Sequence, residues 1–121
     1  MGTTHGREAI RAEAKVFKDN VARIFVDWQG NPAKLRHLVQ HKAIRIEGDR
    51  AWTRAQWFEM ANDGPGKSLK MGTFGIYEDK LQRVAGRWLF SERRIMNEFL
   101  PGRESGPGNP IRSLDEMASA R

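Results

Sequence analysis

The stretch Leu35-Arg-His-Leu-Val-Gln-His-Lys-Ala-Ile-Arg-Ile-Glu47, then Gly48-Asp49, then Arg50-Ala-Trp-Thr-Arg-Ala-Gln-Trp-Phe-Glu-Met60 decides the fold. Leu38, Val39, Ile44 and Ile46 are interleaved with polar residues, and the second run alternates again and is rich in aromatics, so both read as strands. Gly48-Asp49 supplies a two-residue hairpin loop, which sets Glu47 opposite Arg50 and makes residues whose numbers sum to 97 cross-strand partners. In that register one face of the hairpin carries His37, Val39, His41, Gln56, Phe58 and Met60 together.

Upstream, Ile10, Ala14, Phe17, Val21, Ile24 and Phe25 recur at steps of three and four, which predicts an amphipathic helix from Arg7 to about Phe25. Trp28-Gln-Gly-Asn-Pro32 then breaks the chain into a turn. Downstream, Asn62 to Lys67 reads as a loop, Ser68 to Tyr77 as a third strand and Arg87 to about Met96 as a fourth, with Glu78 to Gly86 as a longer connection. The run PGRESGPGNP from Pro101 buries little and reads as a tail, with a weak helical turn around Leu114 to Ala118. A helix followed by hairpin-linked strands implies an α+β domain, a curved antiparallel sheet of about four strands with the N-terminal helix packed on it.

The chain has 121 residues, enough for one core. It has no cysteine, which excludes disulfides, thiol nucleophiles and Cys-ligated metal. No apolar run approaches membrane-spanning length and the N-terminus lacks the apolar core of a secretory signal, so a cytoplasmic protein without a membrane partner is the expectation. The net charge of +6 raises the case for an anionic partner, but the excess is spread thinly and Arg93-Arg94 is the only adjacent basic pair. Nucleic acid is therefore disfavoured as a partner; Trp52 and Arg54 on one strand face would be its best contacts.

Other signals have ordinary explanations. Gly64-Pro-Gly-Lys-Ser68 lacks the first glycine of a phosphate loop, since position 61 is alanine, and it joins strand to strand. His37 and His41 have ligand-like spacing but no acidic cluster, so no metal is expected. Glu78 and Asp79 are adjacent in a strand and so point to opposite faces, reading as an edge and a turn charge. Trp57, Phe58, Met60 and Met71 line either a core or a ligand cavity.

The segments Gly6-Arg-Glu-Ala-Ile-Arg-Ala12, Arg36 to Ala51, Gly75-Ile-Tyr-Glu-Asp79 and Gly86-Arg-Trp-Leu-Phe-Ser-Glu-Arg-Arg-Ile95 occur in an order that resembles SnoaL-like proteins of the nuclear transport factor 2-like superfamily. The resemblance covers roughly residues 6 to 98, implying a cone domain there and a Pro/Gly-rich tail over 99 to 121. It further implies a deep apolar cavity, a homodimer packed sheet to sheet, and cofactor-free dehydratase, cyclase or isomerase chemistry on a small hydrophobic molecule, often polycyclic, polyketide or steroid-like. Many relatives are non-catalytic, so a dimerisation or interaction module of the same fold is the alternative. His37 matches the catalytic histidine of the dehydratases, with a general acid/base role. Met60 stands where scytalone dehydratase has a second histidine, and Met71 and Thr73 stand at its polar pocket positions. With Val39, His41, Phe58 and Tyr77, these complete the expected ligand-binding set. Relatives usually carry further helices ahead of the Gly6-to-Ala12 segment, so this sequence resembles a shortened or reduced member.

Overall fold

The computed structural model describes residues 2–120. Its elements in chain order are α1 (Arg7–Ile24), β1 (Leu35–Glu47), β2 (Arg50–Ala61), a single 3-10 turn (Pro65–Lys67), β3 (Lys70–Val84), β4 (Arg87–Asn97) and α2 (Leu114–Ser119). The strands form one antiparallel sheet in the order β1-β2-β3-β4, and the chain is an α+β fold as its patterning implies. Two compact units divide it: Met1–Arg36 with Glu59–Gly72, and His37–Phe58 with Thr73–Arg121.

In the first unit, α1 starts after Gly6, whose φ of 86° places it outside the helix, and carries Glu8 in its first turn and Arg23 in its last, both favourable to the helix dipole. No residue of α1 is buried. The chain then turns on Asp27, whose Oδ1 accepts the Gln29 and Asn31 N–H groups at 2.9 Å each. Lys34 and Asn62 face each other, with the Asn62 N–H donating to the Lys34 carbonyl at 3.2 Å and the Lys34 N–H donating to Asn62 Oδ1 at 2.6 Å.

The second unit holds the hairpins. Gly48, at φ 61°, takes the first loop position between β1 and β2, the glycine position of a type II′ turn. The β3–β4 connection differs from the sequence expectation. Glu78 to Val84 continues β3, and the loop shrinks to Ala85-Gly86, both at positive φ (50° and 76°) as a type I′ turn demands. The mixed charges of Glu78 to Arg83 hid the strand, and an alanine is an unusual choice for a left-handed turn position. The pairing runs Tyr77 with Ile95, Glu78 with Arg94 and Asp79 with Arg93, then shifts by one residue between Lys80 and Leu81. Such a bulge adds local twist.

The segment after β4 is held down by polar contacts. Residues 101–112 bury almost no apolar side chain, and Ile111 stays 41% exposed, in keeping with their composition. Yet Arg112 reaches Glu78, Arg94 donates to the Pro110 carbonyl at 3.1 Å and to Asn109 Oδ1, and Arg54 donates to the Arg112 carbonyl at 3.1 Å. Helix α2 follows, with a capping box at its start: the Glu116 N–H donates to Ser113 Oγ while the Ser113 N–H donates to the Glu116 carboxylate. The Ser113 N–H, as the first cause, holds the Glu116 carboxyl below its usual range. Met117 and Ala118 are buried against Trp52, with Leu114 packed beside them.

Candidate functional site

Alternation along the strands sorts the second unit's sheet into two faces. One carries Trp52, Glu78 and Arg94 and is covered by residues 109–118. The other carries Trp57, Tyr77, Asp79 and Arg93, and on it a row of rings and charges crosses all four strands.

The row begins in β1, where the His37 ring centroid lies 5.7 Å from that of Trp57, tilted by 34°. Trp57 stacks on Tyr77 at 5.6 Å and 23°. The Arg93 guanidinium lies 3.9 Å over the Tyr77 ring and 4.7 Å from the Phe90 ring centre. Arg93 then forks onto Asp79, Nε to Oδ1 at 2.7 Å and Nη2 to Oδ2 at 2.9 Å. Asp79 is completely buried, and its hydrogen bonds are the first cause of a raised Arg93 pKa. Thus Asp79 fixes Arg93, and Arg93 fixes the Tyr77 ring from above. Gly75 fixes the indole from below: a Cβ there would sit 2.6 Å from Trp57 Cζ2 and 1.9 Å from the Met96 carbonyl oxygen.

On this face, two polar atoms among the described residues have unspent hydrogen-bonding capacity. Trp57 is 4% exposed, and its Nε1–H has no hydrogen-bond partner among the described residues; Thr53 Oγ1, on the same face of β2, also has none. An unmet buried donor costs about 1–3 kcal/mol, so this row holds a donor whose energy an acceptor would recover.

The covered face is a polar clamp. Glu78, also fully buried, accepts from Arg94 Nη1 at 3.0 Å, the Arg112 N–H at 2.9 Å and Arg112 Nε at 2.7 Å. Glu78 and Asp79 do point to opposite faces, but neither is an edge or turn charge: each sits mid-strand opposite its arginine. A cavity of about 180 Å³ on this side is lined by Trp52, Lys80, Leu81, Gln82, Ser91 and Met117.

The expected site residues do not share one face. His37 contacts Trp57, and Trp57 and Phe58 are neighbours in β2 pointing opposite ways, so His37 does not lie with Phe58. A one-residue register change between the Gly48-Asp49 turn and His37 accounts for this, since a slip of one flips every side chain beyond it. Tyr77 is buried in the row, and Thr73, half-buried and four residues earlier on β3, lies on the same face. Val39 (47%) and His41 are exposed, and Phe58 is half-buried. In the first unit Met60 is half-buried and Met71 is 57% exposed. The site-forming role of Arg93 went unread; two acidic residues and two arginines facing each other across a hairpin were the available signal.

A family model described as a SnoaL-like domain matches residues 1–94. The chain belongs to the SnoaL-like domain family, within the nuclear transport factor 2-like superfamily. Comparison with curated proteins and with solved structures returned no match. The match spans α1, all of β1 to β3 and most of β4, so every ring of the row in this SnoaL-like chain lies inside it. Among the described residues no three His, Asp or Glu side chains gather as metal ligands, and no helix is long and apolar enough to cross a membrane.

Proposed function

We propose that this SnoaL-like protein binds a small hydrophobic molecule, of polycyclic, polyketide or steroid-like character, on the sheet face that carries His37, Trp57, Thr73 and Tyr77. The observation that supports this most is the buried Trp57 Nε1–H without a partner, held in a stack of rings whose first member is His37. A flat apolar ligand lies well against such rings, and a carbonyl or hydroxyl oxygen on it accepts a hydrogen bond from the indole N–H. His37 is the acid/base of a cofactor-free lyase or isomerase step: its imidazole accepts a proton from a carbon next to the ligand carbonyl and returns it to the leaving group or to a second carbon. The protein acts as a homodimer.

Native mass spectrometry of the purified chain, with extraction of what co-purifies, tests this. A discrete hydrophobic molecule is expected, bound by both the wild type and His37→Ala but turned over only by the wild type. Equal turnover by both removes the catalytic role, and an empty chain in every preparation counts against a resident ligand.

A second reading, a non-catalytic dimerisation or interaction module, draws on the extent of exposed apolar side chains, among them Ile44, Ile46, Phe90 and Phe99 at 55–61% exposure. Self-association with no ligand in any preparation is its signature.

A further inference from the structure

Where β4 bulges, the second unit opens a cavity on the face that α2 covers. Lys80 pairs with Glu92 and Leu81 with Phe90, so Ser91 is the extra residue of β4, and its Oγ–H donates to the Lys80 carbonyl at 3.1 Å. A bulge bends its strand and re-aims the side chains beside it. The space of about 180 Å³ formed there is lined by β2, the bulge and α2, all of them parts of the second unit. Its floor is apolar: Trp52 and Met117 are 4% and 0% exposed, with Leu81 beside them. Its rim is cationic and polar, made by Arg50, Lys80 and Gln82.

The carboxylates near this rim are engaged elsewhere. Asp49 accepts from Arg83 Nε at 2.9 Å and Glu47 from Arg45 Nε at 2.8 Å, while the Arg50 guanidinium has no hydrogen bond or ion pair among the described residues. Lys80 Nζ meets the Ala120 carbonyl and Glu92 Oε2, both at 3.5 Å, the outer limit for such contacts, and Glu92 is shared with Arg112 Nη2 at 3.8 Å. Two cations with donors to spare therefore stand at the mouth of an apolar cavity. We propose that this cavity binds a small aromatic carboxylate, its ring against Trp52, Leu81 and Met117 and its carboxylate taken by Lys80 and Arg50. An apolar cavity of about 150 Å³ admits benzene, so the space here suits a single ring and is too small for the polycyclic ligand of the other face. The sheet separates this site from the ring row, and the proposal does not rest on the reading of His37 and Trp57.

Proton–nitrogen NMR of the full chain titrated with benzoate tests it, with benzyl alcohol as the neutral counterpart. The Trp52 indole N–H is expected to move with saturation on benzoate addition while Trp57 stays in place, and benzyl alcohol to bind about tenfold more weakly, the scale of a lost charge-assisted hydrogen bond. Lys80→Met, which keeps the stem and removes the charge, should weaken benzoate by about the same factor in a chain still folded by circular dichroism, and Lys80→Arg should restore most of the affinity. Arg50→Gln, at an exposed position that folding does not depend on, should weaken it several-fold. Benzyl alcohol binding as tightly as benzoate overturns the proposal, as does full-strength binding by both Lys80→Met and Arg50→Gln, or a Trp52 that never moves. Movement of Trp57 in place of Trp52 would assign benzoate to the ring row and overturn it too, while leaving the reading of that row standing.

Discussion

Asp79, wholly buried, accepts a two-pronged hydrogen bond from Arg93, and that arginine lies flat over Tyr77. A carboxylate buried this deeply is tolerated because its partner is held in place and half-covered by rings. Replacing Arg93 by methionine keeps the stem packed but strands the charge. The expected loss is about 3 kcal/mol in urea unfolding. Replacing both, as Asp79→Leu with Arg93→Met, should cost less than the single change; an equal or larger cost would mean that the pair itself, and not its broken half, carries the stability.

Arg112 supplies two of the three donors that Glu78 accepts, so it fastens the segment after β4 to the sheet. Arg112→Ala removes the Nε donor and leaves the backbone one. Unfolding stability should fall by about 1.5–3 kcal/mol, the scale for hydrogen bonds to charged groups. Limited proteolysis should also cut sooner between Pro101 and Pro110. Unchanged cleavage would show that α2 alone holds the segment.

Gly75 is required by space. Its missing Cβ makes room for the Met96 carbonyl oxygen and the edge of Trp57. Since one contact is backbone in a paired strand, Gly75→Ala forces the sheet to move, and a loss of about 2 kcal/mol or more is expected. Thermal unfolding measures it; a melting temperature equal to wild type would contradict the close approach.

The turn after α1 should respond to acid. Asp27 has a lowered pKa, first because it accepts the Asn31 N–H and next to that because it accepts the Gln29 N–H. A carboxyl whose folded value lies below its unfolded one contributes stability at neutral pH that is lost as pH falls through the folded value. A carboxyl titration by carbon NMR should place Asp27 below ordinary aspartates, and Asp27→Asn should flatten the acid limb of the stability curve. An ordinary Asp27 midpoint would show that the turn does not depend on its charge.

Much of this architecture was legible in sequence. The turn and the strand limits of the first hairpin could be read to within a residue, because Gly48-Asp49 is a strong loop signal between two alternating runs, but its register towards His37 could not; α1 was legible from its period. The second hairpin was partly hidden, since Ala85 gives no glycine-like cue and Glu78 to Arg83 alternates charge rather than hydrophobicity. His37 could be named, but not its neighbours: one slipped residue in β1 exchanges Phe58 for Trp57, and a slip of one leaves no mark in composition or spacing. The Arg93 clamp over Tyr77 depends on the β3–β4 register, itself fixed by the hidden turn. The C-terminal segment was read by its apolar content, while what attaches it is Arg112 on a buried carboxylate.

The ring row of His37, Trp57 and Tyr77 is proposed as the ligand face, and proton–nitrogen NMR of the four indole N–H groups of the labelled chain, titrated with 2-naphthol as a flat bicyclic probe, tests that claim. The Trp57 N–H is expected to move with saturation, together with the His37 ring protons, while Trp28, Trp52 and Trp88 stay in place. Movement of Trp52 alone would put the ligand in the cavity under α2 and contradict the claim, as would four indoles that never move.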